Sequence, residues 1–324
     1  MSRFNEFGNA LYSGEKSFDV VGFRKIAIAI SAVLIILAVS ITTLRGGFNF
    51  GIEFKGGAEY RVSSTSQNAE AIASKAVHSI LGEASQVNVT TVGTNGVRIQ
   101  TERLDSNMSE KVRQGIASAF GVPGNQVASS FIGANWGGEI TGKAISGLIW
   151  FLALASIAIA LYFRTIKMSA AAMIALAHDL IITSAVYGSL GFEVTPAAVI
   201  GFLTILGYSL YDTVVVFDKI RENTFEVEHS ATATFRERVN LAINQTLVRS
   251  INTSIVAVLP VAAILFIGTL LLGAGTLRDI SLALFIGIVV GTYSTIFIAS
   301  PLYSLFREKE PKYAAAAAKV LASR

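Results

Sequence analysis

The chain has 324 residues, of which 52% are hydrophobic and only 15% charged, whereas average soluble chains carry about 25% charged residues. It contains no cysteine, which excludes disulfides, thiolate nucleophiles, iron–sulfur clusters and Cys-ligated zinc. Its three histidines, His78, His178 and His229, are scattered without the HExxH spacing of a zinc site, so neither metal nor cofactor is expected. The net charge of +4 comes from bases that flank apolar runs, so it reads as a membrane signature and no nucleic-acid surface is expected.

Taken in chain order, a polar tail over 1–25 precedes the apolar run Ile26–Leu44. That run is longer than the roughly 7–15-residue core of a cleaved signal peptide and lacks a small-x-small cleavage site, so a retained anchor is expected. Residues 45–141 are polar and long enough for a small domain. Within them Ala58–Ser63 alternates as a strand, Asn68–Leu81 has helical spacing, Val87–Val92 and Val97–Thr101 flank a Gly93-Thr94-Asn95-Gly96 turn, Ser109–Phe120 is helical and Gln126–Phe131 closes as a strand. The order βαββαβ predicts a ferredoxin-like unit, with one face of a four-stranded sheet covered by two helices. Five further apolar runs follow within 142–305: Ala144–Phe163, Met168–Leu190, Pro196–Phe217, Val248–Leu272 and Ile280–Tyr303. The expected fold is an α-helical polytopic membrane protein with six transmembrane helices and a small α+β domain between the first and second.

Arg24 and Lys25 precede the first span, Arg164 and Lys167 join the second and third, and Lys219, Arg221, Arg236, Arg238 and Arg249 join the fourth and fifth. The turn Gly191–Thr195 has no base and Gly273–Asp279 has only Arg278. The positive-inside rule therefore predicts both termini in the cytoplasm, with 45–141 outside. The connection 218–247 mixes both signs, as does an amphipathic surface helix, either solvated or docked to a partner. The tail 306–324 includes the low-complexity run Ala314–Ala318.

Acids inside apolar spans are the informative residues, because each costs about 2.5–3.5 kcal/mol at a helix centre on insertion scales. Asp179, after His178, lies near the middle of the third span. Asp212 lies in the fourth, roughly 7–8 Å from its midpoint at 1.5 Å per residue. Tyr208 and Ser209 share the helical face of Asp212, and with His178 and Thr213 are candidate supporting groups. A desolvated carboxyl there could exchange protons near neutral pH. Arg249 is the nearest candidate counter-charge if the fourth and fifth spans are antiparallel neighbours, and closing or opening that pair would couple protonation to helix movement. The structural alternatives are that Arg249 snorkels to lipid phosphates, that Asp212 bonds a neighbouring Ser or Tyr, and that His178 partners Asp179. Small residues near the acids, including the match Gly287-Ile288-Val289-Val290-Gly291, indicate close helix packing, and Pro260 can kink the fifth span. Gly56-Gly57 lacks the GxxxxGK[ST] pattern of a phosphate loop and is expected to form a tight turn.

In these segments the chain resembles the SecF family of bacterial protein-export subunits. Phe50-Gly51-Ile52-Glu53-Phe54-Lys55-Gly56-Gly57 is similar to the family's GG motif, and Ala177-His178-Asp179 to its histidine–aspartate motif. The run Gly207–Asn223, then Asn244–Ser250 and Ile286–Ser300, continue the series in order. Glu53 stands where the family usually has Asp, and Tyr211 where Asn usually precedes the acid. The resemblance implies a non-enzymatic, multi-pass subunit of the bacterial inner membrane that pairs with SecD and acts with the SecYEG channel after the SecA motor. It implies a translocase that uses the proton-motive force on exported unfolded polypeptides, with protons as the coupling ion and Asp212 and Arg249 in the proton pathway. Three competing readings are an intramembrane aspartyl protease built on Asp179 and Asp212, a proton-coupled exporter of lipids or small molecules, and a non-conducting scaffold. The first lacks the Gly-x-Gly-Asp pattern, since Leu176-Ala177 precedes His178-Asp179.

Overall fold

The computed structural model describes residues 3–64, 68–85, 87–92, 95–225, 227, 232–268 and 275–322. His229, positions 93–94 of the expected hairpin turn and positions 269–272 of the fifth expected span lie outside the described residues. Six helices are long and apolar enough to cross a membrane. They are α2 (Arg24–Leu44), α6 (Ala134–Phe163), α7 (Ile166–Leu190), α8 (Pro196–Thr224), α9 (Phe235–Ala262, continuing as a π-helix to Gly268) and α10 (Gly275–Ser294, continuing through a π-helical stretch, Thr295–Ala299, into α11, Ser300–Arg307). The short helices α1 (Arg3–Ser13) and α12 (Pro311–Ala322) flank them.

Between α2 and α6 the chain forms β1 (Asn49–Phe50), α3 (Ile52–Lys55), β2 (Gly57–Ser63), α4 (Ala69–Leu81), β3 (Val87–Val92), β4 (Gly96–Thr101), α5 (Ser106–Phe120) and β5 (Ala128–Ile132). The sheet runs β3-β4-β2-β5, antiparallel throughout, which is the ferredoxin-like order expected from βαββαβ. Alternation along β2 sends Ala58, Tyr60 and Val62 into the core with Ala73 and Val77 of α4 and Val112 and Ile116 of α5. Asp105 caps α5 by accepting a hydrogen bond from Met108 N at 2.7 Å.

Several expected boundaries shift. Helix α6 begins at Ala134, inside the stretch assigned by composition to the small domain, because its polar first turns contain no proline and rest against α3. There Gly137 lets the α3 backbone approach: a Cβ would collide with Phe54 O. The connection 218–247 is mostly helical among its described residues, as extensions of the two spans. Helix α8 runs to Thr224, and α9 starts at Phe235 with a capping box in which Thr234 and Glu237 satisfy each other's backbone N–H groups. Phe235, Val239, Ala242 and Ile243 then face inward at helical spacing and pack on Val216, Phe217, Ile220, Tyr303 and Tyr313. The tail is likewise ordered. Ala316 and Val320 of α12 are buried, and Glu308 and Glu310 pair with Arg24 and Lys167, both at 2.7 Å.

Both π-helical stretches adjoin a proline. Pro260 precedes Ala263–Gly268, and Pro301 follows Thr295–Ala299. A helix-interior proline has no N–H to donate and crowds the carbonyl four residues back, which for Pro301 is Phe297 inside the widened stretch, whereas the stretch after Pro260 lies on the other side of its proline. Helices α8 and α10 cross along a seam of small residues, with Gly201 against Ala283, Gly287 against Ile205 and Gly291 against Ser209.

Candidate functional site

Two buried carboxyls lie where α7, α8, α9 and α10 meet. Asp179 of α7 is 0% exposed. Its Oδ2 accepts from Ser209 Oγ of α8 at 2.5 Å, and its Oδ1 is 3.2 Å from Nδ1 of His178. His178 Nε2 is buried with no hydrogen-bond partner, and the ring lies 6.3 Å from that of Tyr293 on α10. Gly291 permits this approach, since its missing side chain leaves room for Ser209 and for Asp179 Oδ2.

Asp212 of α8 is 5% exposed. Its Oδ1 accepts from Ser250 Oγ of α9 at 2.9 Å, whereas Oδ2 is buried without a partner. Behind Ser250 runs a chain of hydroxyls. Ser254 Oγ donates to Ser250 O at 2.8 Å, Tyr208 Oη donates to Ser254 Oγ at 3.2 Å, and Ser254 meets Thr292 Oγ1 of α10 at 2.5 Å. On the other side Thr213 pairs with Thr295 at 2.9 Å, inside the π-helical stretch. Such widened turns free backbone groups and are frequent at functional sites. No hydrogen bond joins the two carboxyls among the described residues, and each is held by a serine on a neighbouring helix.

The two expectations about partners need correction. Arg249 is near enough for its charge to act on Asp212 but forms no ion pair with it. It is exposed on α9 with no ion pair among the described residues, and Ser250 takes the place facing α8. Consecutive residues on a helix point about 100° apart, so only one of the two can face the acid. Ser209, expected to support Asp212, serves Asp179 instead, and Tyr208 reaches Asp212 only through Ser254 and Ser250.

The GG segment lies elsewhere, at the junction between the small domain and the helices. Gly51 N donates to Val194 O at 2.9 Å, and β1 pairs in parallel with β6 (Glu193–Val194), the turn between α7 and α8. Gly57 sits at φ 155°, where a Cβ would lie 2.5 Å from Thr101 O. Lys55 is exposed, while Glu53 Oε2 is buried without a partner. Burial, reinforced by the charges of Glu193 and Glu59, holds the Glu53 carboxyl above the usual carboxylate range against a backbone hydrogen bond acting the other way. Sequence reasoning missed Glu193 and its partners Arg98 and Gln100. The available signal was an acid in a turn of five residues between two apolar spans.

Residues 111–309 match the family model of the protein export membrane protein SecD/SecF, C-terminal. The chain is 43% identical to the protein translocase subunit SecF of Streptomyces coelicolor over all of this chain and 86% of that one. It is 41% identical to that of Mycobacterium tuberculosis over 94% of this chain and 70% of that one. Among solved structures it resembles SecDF of Thermus thermophilus, a translocon-associated membrane protein, with a TM-score of 0.78 and 30% identity over 91% of this chain. It spans 39% of that longer chain. A structure of SecDF in a super-membrane-facing form gives a TM-score of 0.64 at 29% identity.

Proposed function

Because the chain belongs to the SecD/SecF family of protein-export membrane proteins, as a SecF-type translocase subunit, we propose that it moves protons across the bilayer through Asp212 and thereby drives late steps of polypeptide export. The observation that carries this reading is the half-satisfied Asp212 carboxyl. One oxygen is held by Ser250 while the other is buried and open to a proton or a new partner. A buried ionised group with an unmet oxygen is costly, so its protonation state and its helix contacts are tied together. Asp179, held by Ser209 and His178, lies on the adjacent helix as a second station, and the hydroxyls of Tyr208, Ser254 and Thr292 flank the route. One charge moved through 100 mV supplies about 2.3 kcal/mol, so neither a cofactor nor nucleotide hydrolysis is needed.

A SecD-type chain completes the site. Helix α6 exposes apolar side chains such as Ile145, Ile149, Leu154 and Leu161, as befits lipid. Next to the Asp212–Ser250 contact, α8 exposes Thr204 and Tyr211, and α9 exposes Arg249 and Asn252. A cation and amide at bilayer depth fit a polar protein partner better than lipid. Supporting this, the Thermus thermophilus relative is a single SecDF chain of which this one matches 39%. The subunit then works beside the SecYEG channel after SecA, with both termini cytoplasmic and the small domain facing the emerging polypeptide.

Vesicles holding channel, motor, SecD partner and this chain test the proposal when ATP is supplied and then removed. Asp212→Asn is expected to assemble but to lose the gradient-dependent, ATP-independent completion of translocation. Unchanged completion would favour a scaffold role.

A further inference from the structure

The face of the sheet not covered by α4 and α5 is polar and meets the membrane helices at one turn. Arg98 of β4 and Arg61 of β2 stand directly opposite each other, a like-charge pair that costs stability unless neutralised. Each has its own carboxylate. Arg61 Nε donates to Glu59 at 2.6 Å, and Arg98 donates to Glu193 of the α7–α8 turn. Gln100 Nε2 also donates to Glu193, at 2.9 Å. The side chains of Arg98 and Glu193 are only 17% and 10% exposed, so losing the acid takes from a largely buried guanidinium the carboxylate it touches and leaves it only the more distant charges of Glu53 and Asp279.

The same turn gathers the acid-bearing helices. Thr195 caps α8 by accepting from Ala198 N at 3.2 Å and donates to Asp279 of α10 at 2.8 Å, while Tyr187 of α7 donates to Asp279 O at 3.1 Å. The β1–β6 pairing and the close contact of α3 with Gly137 add two independent ties between the small domain and the helices. We infer that Glu193 is a positioning residue that makes the small domain and the leading end of α8 one moving piece, so that the charge state of Asp212 on that helix is delivered as displacement of the small domain. This rests on the proton-driven reading above. It assigns transmission, separate from conduction, to a turn carrying none of the proton-pathway residues.

Proton uptake and ATP-independent completion of translocation, measured on the same vesicles, separate the two roles. Glu193→Gln is expected to leave uptake within about twofold of the parent while completion falls roughly tenfold, inside the range of about 5–150-fold typical of site-to-site coupling. The exchanged pair Arg98→Glu with Glu193→Arg is expected to restore completion, which assigns the effect to the ion pair and not to either side chain alone, while retained uptake in Glu193→Gln separates it from a folding defect. Adjacent strands lie about 4.8 Å apart, within disulfide reach, and the chain has no cysteine. A Phe50→Cys, Val194→Cys bridge across β1 and β6 is therefore expected to preserve completion when oxidised, because the junction moves as a unit. Unchanged completion in Glu193→Gln, or completion abolished by the bridge, would overturn the inference. So would equal loss of uptake and completion, which would place Glu193 in the conducting path or the fold. Proton uptake that survives Asp212→Asn would instead contradict the function proposed above, and this inference with it.

Discussion

At the scale of residues, the buried acids were legible because a carboxylate in an apolar run is costly and therefore conspicuous. Their partners were not. The sequence places Arg249 and Ser250 side by side, and only the rotation of α9 about its axis decides that Ser250 meets Asp212 while Arg249 faces outward. Glu193 stood out only as an acid in a short turn between spans, and its meeting with Arg98 and Gln100 of β4 is set by tertiary packing that no local pattern announces. Glu53 allows a test at this scale. A carboxyl held above its ordinary range binds more protons in the folded than in the unfolded state, so its contribution to stability declines as pH rises from the carboxylate range toward neutrality. Glu53→Gln, which keeps the shape of the neutral form, is expected to raise the melting temperature at pH 7, with the difference from the parent shrinking as pH approaches about 4. A difference independent of pH would show that folding does not raise the Glu53 carboxyl above its ordinary range.

At the scale of elements, apolar run length and strand alternation anticipated six spans and the βαββαβ order. The ends of elements were less readable. Helices α6, α8 and α9 continue into polar sequence because capping and packing, not hydropathy, terminate them. The Gly287–Gly291 match, which fits ordinary membrane packing, proves to be half of the seam on which α8 and α10 cross. Gly287→Leu would overpack Ile205 and is expected to destabilise the protein in detergent by about 1–3 kcal/mol. Combined with Ile205→Ala the loss should be smaller than the sum of the single effects, because the two share one space. Strict additivity, read from unfolding curves of the four proteins, would mean that Gly287 and Ile205 do not share one space. Pro260 announced a kink in the fifth span, but nothing was read from Pro301 or from the π-helical stretch before it, which carries Thr295 against Thr213 of α8.

At the scale of the whole molecule, the small domain, the junction turn and the acid pair lie along one connected path. The junction core of Tyr187, Val194, Ala198, Phe202 and Ala283, with Phe54 packed against it, sits between the sheet and the buried carboxyls. At the far end α9, α11 and α12 close around Phe235, Tyr303 and Tyr313, and Asn244 fixes the segment after α1 through two hydrogen bonds with the backbone of Phe18. Among the described residues, buried polar atoms without a partner occur along the whole of this path, at Glu53 and Arg98 by the junction, at His178, Thr183 and Asp212 mid-bundle and at Ser304 at the far end.

The central claim is that Asp212 conducts, and it is tested most directly by proton uptake into vesicles that contain this chain and its SecD partner under an imposed gradient. The account predicts uptake by the parent chain, its retention in Asp212→Glu to within a few-fold, and a loss of roughly a hundredfold in Asp212→Asn, the scale of losing a positioned proton-transfer group. Uptake by Asp212→Asn equal to that of the parent would contradict it.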